Sequence, residues 1–164
     1  MSVLFIAVPR TGTGSMHSAI AHNLAFTHPN GRNIPASKLR EYVGEKVWNN
    51  SFKFAFVREP YDRFVSAVAT MLDVNTFEEA FIYNPTITMP QVDFIDEELD
   101  FIGKYETIDR DWDRMRKKAG WGPAPLPHVN RRPFETPTWV DRDQVIEYYK
   151  KDYERFYPKV LIHR

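Results

Sequence analysis

Two apolar runs stand out along the chain, Val3–Val8 and Phe52–Arg58, and each passes through a short turn into a segment of helical spacing. Apolar runs of this length without alternation read as strands buried on both faces, the kind a parallel sheet needs. The first run leads to a predicted helix from about Ser15 to Phe26. A polar loop, Thr27 to Asn33, then precedes a helix near Ala36–Trp48, where Leu39, Val43 and Val47 recur at helical spacing. After the second run, Pro60 suits the first turn of a helix, and Tyr61, Phe64, Val65, Val68, Met71 and Leu72 give it an apolar stripe. Two strands that each feed a helix predict the α/β class: a single domain over residues 1–164, with a central parallel sheet flanked by helices.

The remainder is less regular. The pattern predicts a short helix near Phe77–Tyr83, an extended stretch through Met89–Ile95, a third strand within Asp100–Glu106 and a charged helix over Arg110–Ala119. On that last helix Arg114, Arg116, Lys117 and Lys118, mixed with Asp111 and Asp113, read as a solvated face. Pro123, Pro125, Pro127, Pro133 and Pro137 exclude regular helix between Gly120 and Pro137. A final helix, about Asp141–Phe156, aligns Val145, Tyr149, Tyr153 and Phe156.

Composition bounds the function. The 164 residues are 43% hydrophobic and 27% charged, an ordinary globular balance with room for one good core. Twenty-two basic and 22 acidic side chains cancel, so attraction to an anion has to be local; this argues against nucleic acid as a partner. Five scattered His residues and no Cys encode neither a zinc site nor disulfides. No apolar run approaches the roughly 20 residues of a membrane helix. The expectation is a cytoplasmic protein with no metal and no membrane partner.

The chemistry concentrates in the turns after the two long strands. Gly12 and Gly14 let the backbone wrap an anion, Thr11, Thr13 and Ser15 offer hydroxyls, and Arg10 adds a forked positive charge beside a helix N-terminus. Arg58 ends the second long strand, and Ser66 falls on the following helix, on the face opposite its apolar stripe, near Arg63 and Thr70. Neighbouring parallel strands share one carboxyl edge, so Arg10 and Arg58 should face a common crevice and hold a ligand with two anionic groups. The competing reading pairs Arg58 with Glu59 or Asp62 and leaves Ser66 solvated. Lys104, near the end of the third strand, is within reach of a phosphate or simply exposed.

These pieces resemble a known family, the sulfotransferases that use 3′-phosphoadenosine 5′-phosphosulfate (PAPS), especially the carbohydrate branch with the heparan sulfate 2-O and 6-O enzymes. The sequence VPRTGTGSM, Val8–Met16, is similar to the signature "hIPKTGGTSL", and FVREPYDRFVSAV, Phe56–Val68, to "FVRNPYERLVSAY". Weaker echoes follow in the family's order: PQVDFI (Pro90–Ile95), FIGKYE (Phe101–Glu106), PHVN (Pro127–Asn130) and YYKKDYERF (Tyr148–Phe156). The resemblance implies the P-loop-like sulfotransferase fold, PAPS as donor and 3′-phosphoadenosine 5′-phosphate (PAP) as product. It places the 5′-phosphosulfate on Arg10, Thr11, Gly12, Thr13, Gly14 and Ser15, and the 3′-phosphate on Arg58 and Ser66.

Sulfuryl transfer needs positive charge at the leaving phosphate, alignment, and a base for the acceptor proton. Arg10 stands where the family usually has Lys, and a guanidinium is a purely electrostatic stabiliser near neutral pH. The family's stretch "H-x-x-A-x-x-L-R-E" corresponds here to Asn33 through Glu41, so Asn33 replaces the His. Three alternatives remain: His17 serves as base, His28 does, or the protein binds donor without rapid transfer. His128 and Asn130, in the Pro-rich loop beside Arg131 and Arg132, are expected in a lid over the donor or over a carbohydrate or small-molecule acceptor, or else in a rigid surface connection. A nucleotide kinase is the main enzymatic rival, but it would need G-x-x-x-x-G-K-[ST], and no Lys follows Gly14.

Overall fold

The computed structural model describes residues 2–20, 25–26, 33–127 and 134–162. Its centre is a four-stranded, all-parallel sheet in the order β2-β1-β3-β4: β1 Ser2–Ile6, β2 Ala25–Phe26, β3 Ser51–Val57 and β4 Phe101–Lys104. The α/β class and the parallel sheet expected from the sequence are present. Alternate residues of β1 and β3 feed two cores. Leu4, Ile6, Ala55 and Val57 join one, while Val3, Phe5, Phe52, Phe54 and Phe56 join the other. Burial on both faces explains why these strands read as continuous apolar runs.

The second core is closed by α1, Thr13–Ile20, through Met16 and Ile20, and by α8, Ile108–Lys118, through Trp112 and Met115. The first is closed by α2 (Ala36–Val43), α3 (Glu45–Asn49), α4 (Pro60–Val68) and the later helices α5 Phe77–Tyr83, α7 Gln91–Phe94, α9 Arg142–Tyr148, α10 Lys150–Phe156 and α11 Pro158–Ile162, while the short α6, Pro85–Thr88, packs against α4 and α5.

Several boundaries differ from the sequence expectation, each for a local reason. The first helix is described over Thr13–Ile20, and Ala25–Phe26, expected to be its last turn, form a short strand beside β1. The Ala36–Trp48 helix is two helices, because Gly44 sits at φ 86°, a left-handed conformation that stops an α-helix. The α4 helix ends at Val68, so Leu72 is 75% exposed rather than part of the stripe. Within the stretch expected to be extended, Pro90 precedes a single helical turn, α7. The third predicted strand keeps only Phe101–Lys104 and runs into a 3₁₀ turn, Tyr105–Thr107. The last predicted helix breaks at Tyr149 into α9 and α10.

Candidate functional site

The sheet order creates the site. After β1 the chain crosses to β2 on one side, and after β3 it crosses to β4 on the other, so the carboxyl ends of β1 and β3 flank a topological switch point. Open parallel sheets leave their ligand crevice at such a point, since the two following loops diverge there. The loop after β1 carries Arg10 and the loop after β3 carries Arg58, and the two touch: Arg58 Nη1 donates to the Arg10 carbonyl at 3.3 Å.

Arg10 has φ 65°, a left-handed conformation that is costly for a residue with a Cβ. Its Nε donates to Ser66 Oγ at 2.9 Å. Burial first, and then the positive charge of Arg58, holds the Arg10 guanidinium below its ordinary pKa. Among the described residues, neither Arg10 nor Arg58 has a carboxylate within 4.0 Å. Among the described residues two like charges are therefore held together with no carboxylate in contact, an arrangement that an anion would stabilise.

Ser66 corrects the helical-wheel expectation. It is 1% exposed, enclosed in a stretch of α4 that is buried from Arg63 to Val68, and it faces the β1–α1 turn rather than solvent. The Thr11 hydroxyl is likewise committed inward: the residue is fully buried and donates to the Val8 carbonyl at 2.7 Å, so it builds the turn. Gly12, at φ 87°, lies under the turn that follows β4; a Cβ there would come within 2.7 Å of Ile108 Cδ1. Gly12→Ala is expected to lower unfolding free energy by about 1–2 kcal/mol, from strained backbone and overpacking together, read as an earlier urea midpoint.

The alternative pairing of Arg58 with Glu59 is not what forms. Glu59 caps α4, accepting from Asp62 N at 2.9 Å, and its other oxygen accepts from the Tyr153 hydroxyl. Glu106 accepts from Tyr157 Oη at 2.8 Å and from Glu59 N. Burial, together with these carboxylates, pushes both phenols well above their ordinary pKa, so they stay protonated donors. Arg58 instead stacks on an aromatic: its Cζ lies 4.1 Å from the centre of the Tyr105 ring. A cleft of about 520 Å³ opens beside this pair, lined by Arg58, Asp62, Tyr105, Glu106, Ile108 and Arg110.

Asp111 fastens this third strand end. Expected on a solvated helix face, it is 4% exposed and accepts from Lys104 N at 2.8 Å and Thr107 Oγ1 at 3.0 Å. Desolvation would raise its pKa, but those bonds and the contact with Arg110 outweigh it and hold the carboxyl below the ordinary aspartate value. Its stabilisation is therefore complete above the unfolded-state pKa and lost as pH falls through the lower folded one. Asp111→Asn should flatten the fall in stability below about pH 4, as measured by unfolding midpoints against pH.

Of the other residues singled out in the sequence, Lys104 pairs with Val57 across the sheet, next to Arg58, but its ammonium lies 4.7 Å from the centre of the Tyr157 ring. His17 packs its ring edge-on against Phe5, in the middle of β1, with centroids 5.1 Å apart. Asn33 takes φ 74°, a left-handed turn that Asn tolerates well. His28, His128 and Asn130 lie outside the described residues.

Sequence reasoning missed the buried supports. Arg63 is 1% exposed and donates to the carbonyls of Pro9 (3.4 Å), Ile87 (3.2 Å) and Met89 (2.5 Å). Burial lowers its pKa, and Nε finds no acceptor among the described residues. The sequence carried no signal for this burial, because the α4 pattern puts Arg63 on the side opposite the apolar stripe. Among the described residues there is no group of three His, Asp or Glu that could hold a metal, and no helix is long and apolar enough to cross a membrane.

The fold is a parallel α/β domain whose switch point gathers two guanidiniums and a glycine-bearing strand-to-helix turn, an arrangement suited to an anion. The model of the sulfotransferase family matches residues 5–88, just over half of the chain, and this protein belongs to that family. The matched span runs from β1 through α6 and so contains both loops. Searches of curated proteins and of solved structures found no match. The family's chemistry is sulfuryl transfer.

Proposed function

We propose that residues 1–164 act as one sulfotransferase domain that moves a sulfuryl group from PAPS to an acceptor hydroxyl and releases PAP. The observation that carries this reading is the Arg10–Arg58 pair, two cations in contact range through the Arg10 carbonyl with no carboxylate between them among the described residues. A donor with separated 3′- and 5′-phosphates fits such a pair. Arg58 and Ser66 take the 3′-phosphate, while Arg10, Gly12, Thr13, Gly14, Ser15 and the backbone at Thr11 take the 5′-phosphosulfate. Arg10 stabilises negative charge at the bridging oxygen electrostatically. Lys104 adds positive potential at the edge. PAPS supplies the activated sulfuryl group, and the residues hold and orient it without a metal.

The acceptor is a carbohydrate or other small hydroxyl compound, as the resemblance implies, met by His128 and Asn130, and a cytoplasmic setting is part of the same proposal. His17 or His28 takes the acceptor proton. Replaced one at a time by Ala, the base is the imidazole whose loss reduces kcat by about 100-fold or more with PAP affinity unchanged. If neither does so, the chain is a donor-binding module, a reading that Asn33 at the family's His position favours. Calorimetric titration tests the whole: PAP binds and ATP–Mg²⁺ does not, followed by transfer of labelled sulfate from PAPS to a panel of sugars and phenols. Binding of ATP–Mg²⁺ in preference to PAP would return the chain to the kinase class.

A further inference from the structure

The α6–α7 segment lies beyond both loops in sequence, yet it grips the backbone of the second one. Gln91, fully buried, accepts from Arg58 N through Oε1 at 2.9 Å and donates from Nε2 to the Arg58 carbonyl at 2.8 Å. Asp152 of α10, also fully buried, accepts from Gln91 N and Val92 N, both at 2.9 Å. Arg63 ties the same segment, at Met89, to Pro9 at the start of the first loop.

A strand end normally loses its ladder partners as the chain leaves the sheet, so the direction of Arg58 is not fixed by β3 itself. The side-chain amide of Gln91 replaces those partners on both polar groups of one residue. We propose that Gln91 is a positioning residue: its two-point bond to the Arg58 backbone aims that guanidinium at the Arg10 loop for a ligand's 3′-phosphate, and Asp152 fixes Gln91 in turn. The inference rests on the donor reading above. It requires one donor and one acceptor at the end of the side chain, which Gln provides in its neutral amide and Glu provides only when protonated.

The full chain is titrated with PAP and with ADP, which lacks the 3′-phosphate, for the wild type, Gln91→Leu and Gln91→Glu. Gln91→Leu is expected to weaken PAP by about tenfold or more and ADP by less than about twofold, because only the contact made by Arg58 is misaimed. Gln91→Glu gives a readout that general loosening would not move. Facing the Arg58 carbonyl and Asp152, with Arg63 and Arg58 as the neighbouring cations, the new carboxyl is buried and its pKa raised. Its PAP affinity relative to wild type should match wild type at low pH and fall as pH rises from about 5.5 to 9, with the ADP ratio flat.

Equal losses for PAP and ADP in Gln91→Leu, or a pH-independent PAP ratio in Gln91→Glu, overturn the assignment. A wild type that does not prefer PAP to ADP overturns the donor reading itself before any variant is compared. Should Gln91→Leu fail to fold, the pH series on Gln91→Glu decides alone.

Discussion

Arg58→Ala is expected to weaken PAP binding by about 1.5–3 kcal/mol, the worth of a charge-assisted contact to a phosphate, while the protein stays folded. The side chain is partly exposed at a strand end, and its contacts are the Tyr105 ring and the Arg10 carbonyl, so little of the core depends on it. The loss should be accompanied by a rise in the Arg10 pKa, since the positive charge of Arg58 is one of the two causes that lower it. Calorimetry measures the first effect. An unchanged dissociation constant in a folded variant would put the 3′-phosphate somewhere else.

Arg63→Met is expected to have the opposite profile: a fall in unfolding free energy of about 3–5 kcal/mol, read from urea curves, whatever ligand is used. Arg63 is buried among the carbonyls of Pro9, Ile87 and Met89, and its Cζ lies 5.6 Å from the centre of the Tyr149 ring. Met fills much of the volume but leaves three carbonyls without these donors, and it removes the cation whose charge partly offsets the burial of Asp152. A variant within about 1 kcal/mol of wild type would show that the carbonyls find other partners. Because Pro9 immediately precedes Arg10, the first loop should loosen in the same variant, visible as faster amide exchange there.

Arg58 and Arg63 were equally visible in the sequence as basic residues five positions apart, yet they have different duties. The strand-end position of Arg58 could be read from the apolar run before it. The burial of Arg63 could not, because α4 is covered on nearly every side by α6, α9 and the β1–α1 turn, and a helical wheel drawn from α4 alone assumes that one face meets water. The same assumption misplaced Ser66. Asp111 was misread for a related cause: its partners, Lys104 N and Thr107, become available only when β4 ends in a 3₁₀ turn, and no periodicity announces that turn.

What the chain determines by itself is local: apolar runs long enough to be strands, glycines and Thr11 that permit a tight turn, Pro60 at a helix start, and two loop signatures specific enough to reveal the family. Each of these is set by residues within a few positions of one another, where backbone sterics and side-chain periodicity act directly. The order β2-β1-β3-β4, the meeting of Arg58 with the Arg10 loop, and the grip of Gln91 and Asp152 on a strand end far away in sequence were decided only by the tertiary structure. Those contacts join segments tens of residues apart, and their energies depend on burial and on which strand ends become neighbours, quantities that exist only once the sheet has assembled.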